Sequence, residues 1–357
     1  MSTSKPIRVG ISIGDLNGIG PEIVLKAFED VRMLDFCTPV IFANIKMLSF
    51  FKKYFNLELR LQGIPHASKV VDGKVNVVSA WKSNFKVNFG EEDKVAGKYA
   101  VRSIEVATEA LINEDIDVLV TAPINKNSIQ SEEFSFPGHT DYFAEKLKGD
   151  NMMFMVSEKL KVGLLTDHVP VKDVASHITP ERIEKKVEIM SQSLTQDFGI
   201  RKPKIAVLGI NPHSGDNGVI GDEDQLVLKP TIHKINDLKG ELVYGPYAAD
   251  SFFGSKNHQN FDAIIAAYHD QGLIPFKTLA FGKGVNFTAG MNRIRTSPDH
   301  GTAFDIAGKN QADPSSFLQA VYTAIDIYKN RMSYLKMNKN PLPVQPASRE
   351  NKRSKLN

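Results

Sequence analysis

The chain has a single cysteine, Cys37, among 357 residues. One thiol excludes an intrachain disulfide and any thiolate metal cage, and it fits a reducing, cytoplasmic setting. No apolar run approaches the ~20 residues that cross a bilayer. The opening MSTSKPIRVGISIG enters a strand without a signal-peptide core. No membrane role is expected. A strong charge of one sign is also missing. The net charge is +3, yet residues 337–357 hold Lys339, Arg349, Lys352, Arg353 and Lys355 against Glu350, which is +4 and leaves the body at about −1. That body has no nucleic-acid footprint. The tail, with Pro341, Pro343 and Pro346 and little to bury, is expected to be a disordered basic segment. Internal repeats and long linkers are absent, and so is a dinucleotide fingerprint. The glycines at 14, 18 and 20 do not fit G-x-G-x-x-G.

Hydrophobic residues make up 42% and charged residues 24%, the balance of a globular protein. The length exceeds one ordinary core, so two α/β domains sharing a cleft are expected. Strands and helices alternate. Apolar runs predict strands over Ile7–Ile13, Pro39–Ala43, Val75–Val78, Asp117–Thr121, Lys161–Leu165, Lys204–Ile210, Asp262–Ala267 and Val285–Ala289. Amphipathic periodicity predicts helices over Lys94–Asn113 and Pro180–Phe198, the second capped by Thr179.

Polar clusters follow several of these strands, and in α/β proteins ligands gather at strand carboxyl ends. Asp15 and Asn17 follow the first strand, where they either face a ligand or shape a turn. Lys126 ends an Ala122–Lys126 cluster, as an anion contact or as a solvated lysine at a helix start. His139 and Thr140 precede a helix predicted over Phe143–Lys148. Donors at a helix start suit a phosphate or carboxylate, although Thr140 also suits simple capping. The densest stretch runs from Phe261 to Lys309. It carries His269, Asp270, Lys277, Arg293, Arg295, Asp299 and His300, with five glycines from Gly272 to Gly301, more charge than a core needs and the kind that binds an anion.

Of nine histidines, His168, His213 and His269 each follow an apolar strand by one to three residues. Strands sharing a direction would bring these imidazoles to one rim, where they suit Zn²⁺ or another divalent cation with open positions for substrate. Asp167 and Asp270 adjoin two of them. The spacings of 45 and 56 residues form no local signature, and a loop histidine with an ordinary hydrogen bond is the plainer alternative.

In order along the chain, GDLNGIGPE, PINK, PGHTDY, TDHVP, NPHSGDNG, YHDQGLIPFK, GVNF and IRTSPDHGTAFDIAGK resemble the 4-hydroxythreonine-4-phosphate dehydrogenases of pyridoxal phosphate biosynthesis, from about Ile7 to Tyr328. The segment from His300 to Gly308 is also similar to the adenosine-contacting loop of isocitrate and isopropylmalate dehydrogenases. That would explain an NAD-using enzyme without a Rossmann fingerprint. The resemblance implies two α/β/α domains, 1–131 plus 300–336 and 132–299, the second carrying the metal ligands and the dimer interface, with the active site in the cleft between them. It implies His168, His213 and His269 as ligands of a divalent metal (Zn²⁺, or Mg²⁺ or Co²⁺). It assigns His139, Thr140, Lys277, Asn286 and Arg295 to a small phosphorylated substrate, and His300, Gly301 and Asp305 to NAD or NADP. A homodimer is implied, with His269 contributed across the interface. Asp250 is a candidate proton acceptor, beside water. The implied reaction oxidises 4-phosphooxy-L-threonine. Asp141–Tyr142, Ala289, Met291 and Asn292 depart from the expected pattern beside substrate contacts, so threonate or erythronate 4-phosphate stays open as substrate. A phosphotransacetylase-like acyltransferase, which needs no metal, and a non-catalytic binding protein of this fold are the remaining rivals.

Overall fold

The structure, a computed structural model, describes residues 6–340 except 133, 137, 148 and 241. The basic tail from residue 341 onward lies outside the described residues. Among the described residues twelve strands form one sheet. They are β1 (Arg8–Ser12), β2 (Thr38–Ala43), β3 (Leu61–Ile64), β4 (Val75–Ser79), β5 (Val118–Thr121), β6 (Gly149–Val156), β7 (Lys161–Leu164), β8 (Ile205–Leu208), β9 (Val243–Tyr247), β10 (Ala263–Ala266), β11 (Val285–Met291) and β12 (Arg295–Pro298). Their order is β3-β4-β2-β1-β5-β12-β11-β6-β7-β10-β8-β9. From β3 to β12 every neighbour is parallel, and so is every neighbour from β7 to β9. Between the two halves β11 is antiparallel to β12 and β6, and β6 is antiparallel to β7. The two parallel halves therefore run in opposite directions.

Strands buried on both faces read as unbroken apolar runs, which is why the sequence reveals IAVL of β8 and AIIA of β10 so plainly. By contrast β3, β6, β9 and β12 escape the sequence reading. β12, RTSP, has no apolar residue that marks a strand, yet all four of its residues are buried. The predicted long helices are present over Lys94–Ile112 and Pro180–Gln196, the latter capped by Thr179 Oγ1 accepting from the Arg182 amide.

The two faces of the sheet are covered differently. One face has a continuous core in which Ile23 and Val24, Ile183 and Val187, and Phe317 and Val321 of three helices pack on strand residues from Ile11 to Val207. Two of those helices are tied together by a buried pair, Arg331 Nε donating to Asp197 Oδ1 at 2.8 Å. Ser193 Oγ donates to the other oxygen of Asp197 at 2.7 Å. The opposite face has two separate cores. In one, Ile104 and Ala107 of Lys94–Ile112 and Phe143 of the helix His139–Lys146 pack on Val40, Phe42 and Leu119. In the other, Leu273 and Phe276 of the helix His269–Leu279 pack on Met153, Val162 and Ala266. The helix His139–Lys146, expected in the unit 132–299, thus shares its core with strands of the first unit.

Candidate active site

Between those two cores no helix among the described residues covers the central strands, and their side chains floor a cleft. Side chains alternate across a strand, and cross-strand partners share a face. Asn286 is opposite both Ser297 and Met155, and Thr288 is opposite Met153. Together with Thr121 at the end of β5 and Arg295 at the start of β12, these residues face the cleft. The cavity above them is about 250 Å³, the scale of a small molecule. Its lining includes His139, Thr140, His168, His269, Lys277, Asn286, Arg295, His300 and Gly301. Nine of the twelve residues expected from the sequence therefore meet in one pocket. His213, Asp250 and Asp305 do not.

Arg295 dominates the electrostatics. It is 1% exposed, and no carboxylate pairs with it among the described residues. Its Nη2 and Nε donate to Thr121 Oγ1 at 2.7 and 3.2 Å, and Nη1 to Thr288 Oγ1 at 3.5 Å. Its guanidinium carbon lies 5.4 Å from the centre of the Phe143 ring. Burial pulls its pKa from 12.5 down to about 9. A guanidinium has five N–H donors, and hydroxyls use only part of that capacity. The His139 ring stacks on the same Phe143, with centroids 6.2 Å apart. Burial first, and the Arg295 charge second, hold His139 well below the ordinary histidine pKa, so it is neutral at pH 7. Its Nε2 is buried without a partner among the described residues, and so is Asn286 Oδ1. Lys277 Nζ reaches in from the helix His269–Leu279, donating to the Asp299 carbonyl at 3.1 Å. Buried polar groups normally find partners. Here His139 Nε2, in the tautomer that carries its proton there, and the spare N–H groups of Arg295 converge where an anion would complete them.

The helix carrying His139 begins earlier than the sequence suggested, at His139 with Gly138 as its N-cap and no side-chain cap. Thr140 is thus not the cap but lies inside the first turn, facing the cavity. The choice at Asp15 resolves toward turn formation. Its Oδ1 accepts from the Asn17 amide at 2.8 Å, and Asn17 in turn binds the Asn88 amide and the Glu91 carbonyl. Asp15 Oδ2 is buried without a partner among the described residues, and burial raises the carboxyl to about 6. Lys126 lines the pocket from an exposed helix start.

His168 follows β7 and His269 follows β10, which are adjacent strands, and the two ring centroids are 6.0 Å apart. Gly272 makes this approach possible. A Cβ there would lie 2.9 Å from Ala266, Leu164 and Val162, so only glycine lets the helix lie this close to the sheet. His269 Nδ1 is 2.7 Å from Asp270 Oδ1, which leaves Nε2 available. The strand carrying His213, β8, is next to β10, but its loop turns away. His213, Ser214, Gly215 and Asp216 all have positive φ. The carboxylate of Asp224 holds the loop by accepting from the Ile210 and Asn211 amides. His213 lines a separate hollow with Lys229 and Pro246. Among the described residues no group of three His, Cys, Asp or Glu side chains converges on a metal position. The expected grouping of His168 with His213 in one subunit is therefore not what the chain forms: His168 pairs with His269. Asp250, in the first turn of Ala249–Gly254 beyond β9, is exposed and outside the pocket.

Asp305 is exposed on the 300–308 loop. That loop is tied to the β1 turn by the Ile19 amide donating to the Thr302 carbonyl at 3.0 Å. Sequence reasoning missed Thr121, Thr288 and Phe143, which orient Arg295. The two threonines are on strands predicted from their apolar runs and Phe143 is on a predicted helix, so the elements were legible, but nothing in their spacing marks these three as neighbours of one arginine.

The family model described as Pyridoxal phosphate biosynthetic protein PdxA matches residues 35–324. A 4-hydroxythreonine-4-phosphate dehydrogenase from Bacteroides thetaiotaomicron is 46% identical over 352 residues, 98% of this chain and 96% of its own. A D-threonate 4-phosphate dehydrogenase from Cupriavidus necator is 36% identical over 336 residues, 93% of this chain and 100% of its own. The crystal structure of a 4-hydroxythreonine-4-phosphate dehydrogenase from Klebsiella pneumoniae is similar with a TM-score of 0.78 at 32% identity, covering 91% of this chain and 100% of that one.

Proposed function

Because the chain belongs to the family of pyridoxal phosphate biosynthetic protein PdxA, we propose that its pocket carries out the dehydrogenation named for its relatives. The C3 hydroxyl of 4-phosphooxy-L-threonine is oxidised to the ketone of 2-amino-3-oxo-4-phosphooxybutanoate. This β-keto acid loses CO₂ readily to give 3-amino-2-oxopropyl phosphate. One observation carries the reading: the buried Arg295 guanidinium, paired with no carboxylate among the described residues, shares its pocket with the unpartnered His139 Nε2. Arg295 and Lys277 neutralise the phosphate, with His139, Thr140 and Asn286 as neutral contacts, so that C3 is held in one place.

The donors present suit a divalent cation as a half-site. Two imidazoles with centroids 6.0 Å apart are close enough to share an ion at metal–nitrogen distances of ~2.0–2.1 Å, and Asp270 orients one of them. When bound, a cation such as Zn²⁺, Mg²⁺ or Co²⁺ supplies Lewis-acid polarisation of the hydroxyl, and NAD⁺ or NADP⁺ supplies the hydride acceptor. His168 and His269 hold the ion from one subunit. The third ligand is His213 of the partner subunit, and the proton acceptor is Asp250 of the partner subunit. This reverses the sequence expectation that His269 crosses the interface. Exposed apolar side chains support a two-fold interface at both places: Val219 and Leu226 beyond the His213 loop, and Ile274 and Phe281 along and after the His269 helix, the last 90% exposed. His300 and Gly301 line the pocket, and together with Asp305 farther along the same loop they would hold the nicotinamide nucleotide.

The test is a nucleotide-reduction assay with 4-phosphooxy-L-threonine and D-threonate 4-phosphate, each with NAD⁺ and NADP⁺, before and after dialysis against a chelator. Turnover that the chelator removes and a divalent metal restores is expected. No reduced nucleotide from either substrate would overturn the reading, and turnover indifferent to the chelator would overturn the metal assignment.

A further inference from the structure

The pocket's charges are uneven. Three cationic side chains line it, Lys126, Lys277 and Arg295, against two carboxylates, Asp141 and Asp299. The Asp299 carboxylate is turned away from the cavity, packed on Gly284 with Ser316 Oγ donating to Oδ1 at 3.5 Å. Asp141 is different. It is half-buried in the first turn of the helix His139–Lys146 and makes no side-chain hydrogen bond or ion pair among the described residues. It lines both the main cavity and a second hollow beside it, and the two share Thr140, Asp141 and His168. Asp141 is thus placed between a phosphate contact and a metal-side histidine.

A free carboxylate in a pocket built for anions repels a purely anionic substrate, and it becomes favourable only if the ligand brings a cation to it. We propose that Asp141 receives the C2 ammonium of the substrate, so that the enzyme selects an amino-acid phosphate over the corresponding hydroxy-acid phosphate. The inference rests on the proposed reaction and names its substrate class. In 4-phosphooxy-L-threonine the ammonium is on C2, the neighbour of the C3 that is oxidised, and Asp141 lines the same two hollows as His168, the histidine that serves that carbon. The phosphate and carboxylate of the same molecule match the three cations. In D-threonate 4-phosphate a neutral hydroxyl replaces the ammonium, leaving Asp141 uncompensated next to two anionic groups. Asp141 is a specificity-determining residue in this assignment, separate from the groups that hold the phosphate.

The experiment compares wild type, Asp141→Asn and Asp141→Glu on both phosphates. The measure is kcat/KM, or the inhibition constant for a compound that is bound but not turned over. Asparagine keeps the shape and removes the charge. The preference for the amino acid over the hydroxy acid should fall ten- to a hundredfold in Asp141→Asn and recover in part in Asp141→Glu, with the melting temperature unchanged. An equal loss on both compounds, or a preference that does not move, would overturn the role of Asp141 while leaving the reaction standing. A wild-type enzyme that prefers the hydroxy acid would overturn the inference directly. Failure of wild type to oxidise either compound would overturn the reaction itself, and the inference with it.

Discussion

Replacing Arg295 by methionine tests whether the protein maintains a strained charge for the sake of an anion. Burial lowers the guanidinium pKa from 12.5 to about 9. At 1.36 kcal/mol per pH unit this corresponds to roughly 5 kcal/mol of desolvation borne by the ligand-free fold. The hydrogen bonds to Thr121 and the Phe143 contact return part of it, on the order of 1 kcal/mol each. Methionine fills most of the same volume without the charge. The ligand-free variant should therefore be more stable than wild type by about 1–3 kcal/mol. With an unfolding entropy of ~2.1 cal/mol/K per residue, that is a rise in melting temperature of roughly 1–4 °C. Function should move the other way. Charge-assisted contacts are worth ~1.5–3 kcal/mol, so kcat/KM for the phosphorylated substrate should fall at least ten- to a hundredfold, and far less for an unphosphorylated analogue. Calorimetry with and without inorganic phosphate separates the parts: phosphate should raise the melting temperature of wild type and not of the variant. A variant several degrees less stable that phosphate still protects would refute the reasoning, since Arg295 would then be a structural residue.

Asp15 gives a pH-dependent prediction. Its carboxyl, raised by burial to about 6 from 3.8 in the unfolded chain, favours folding below pH 4 and progressively opposes it as pH rises through 6. Asp15→Asn should therefore stabilise the protein at pH 8, by up to about 3 kcal/mol, and change little near pH 4; thermal melts at the two values check this. Gly272→Ala places a methyl group against Ala266, Leu164 and Val162, pushing the His269 helix outward. Turnover should fall and metal affinity weaken while the far-ultraviolet circular dichroism stays unchanged, and an alanine variant with full metal affinity would contradict the packing argument. Subunit mixing tests the shared site. His213→Ala and His269→Ala chains, inactive alone, should regain about a quarter of wild-type activity when refolded together, because half the dimers then hold one intact site. A mixture of His168→Ala and His269→Ala chains should recover nothing. Recovery in that second mixture would place His269 across the interface after all.

Much of this was readable in the chain because burial leaves a simple mark. Strands covered on both faces, such as β8 and β10, cannot hide their apolar runs, and the polar residues just past their ends stand out. His168 and His269 are found in that way, and so is Lys277 on the helix that follows. What misled was assuming that equal distance past a strand means an equal place in space. The His213 loop has the same sequence distance but a run of positive φ angles, which apolar periodicity does not encode. Arg295 stood out only as one charge in a dense polar stretch, with no strand predicted there, and it is a strand residue. Its strand floors a polar cleft, so it lacks the pattern that identifies buried strands. Asp141 attracted notice only as a departure from an expected pair, since a carboxylate in a helix's first turn is ordinary.

The unequal covering of the sheet has a mechanical consequence. A plate stiffened along its whole width on one side, and only at its ends on the other, flexes about the stiff side. Gaping of the cleft would strain the unbroken layer of helices, and the Arg331–Asp197 tie would take that load first. Closing asks only that the two separate helix packs lean toward each other. Arg295 and Asn286, fixed by strand register, belong to the plate itself, whereas His139 and Thr140 ride on one helix pack and Lys277 on the other, so leaning of the packs would carry the helix-borne contacts toward the strand-borne ones and grip the phosphate from both sides.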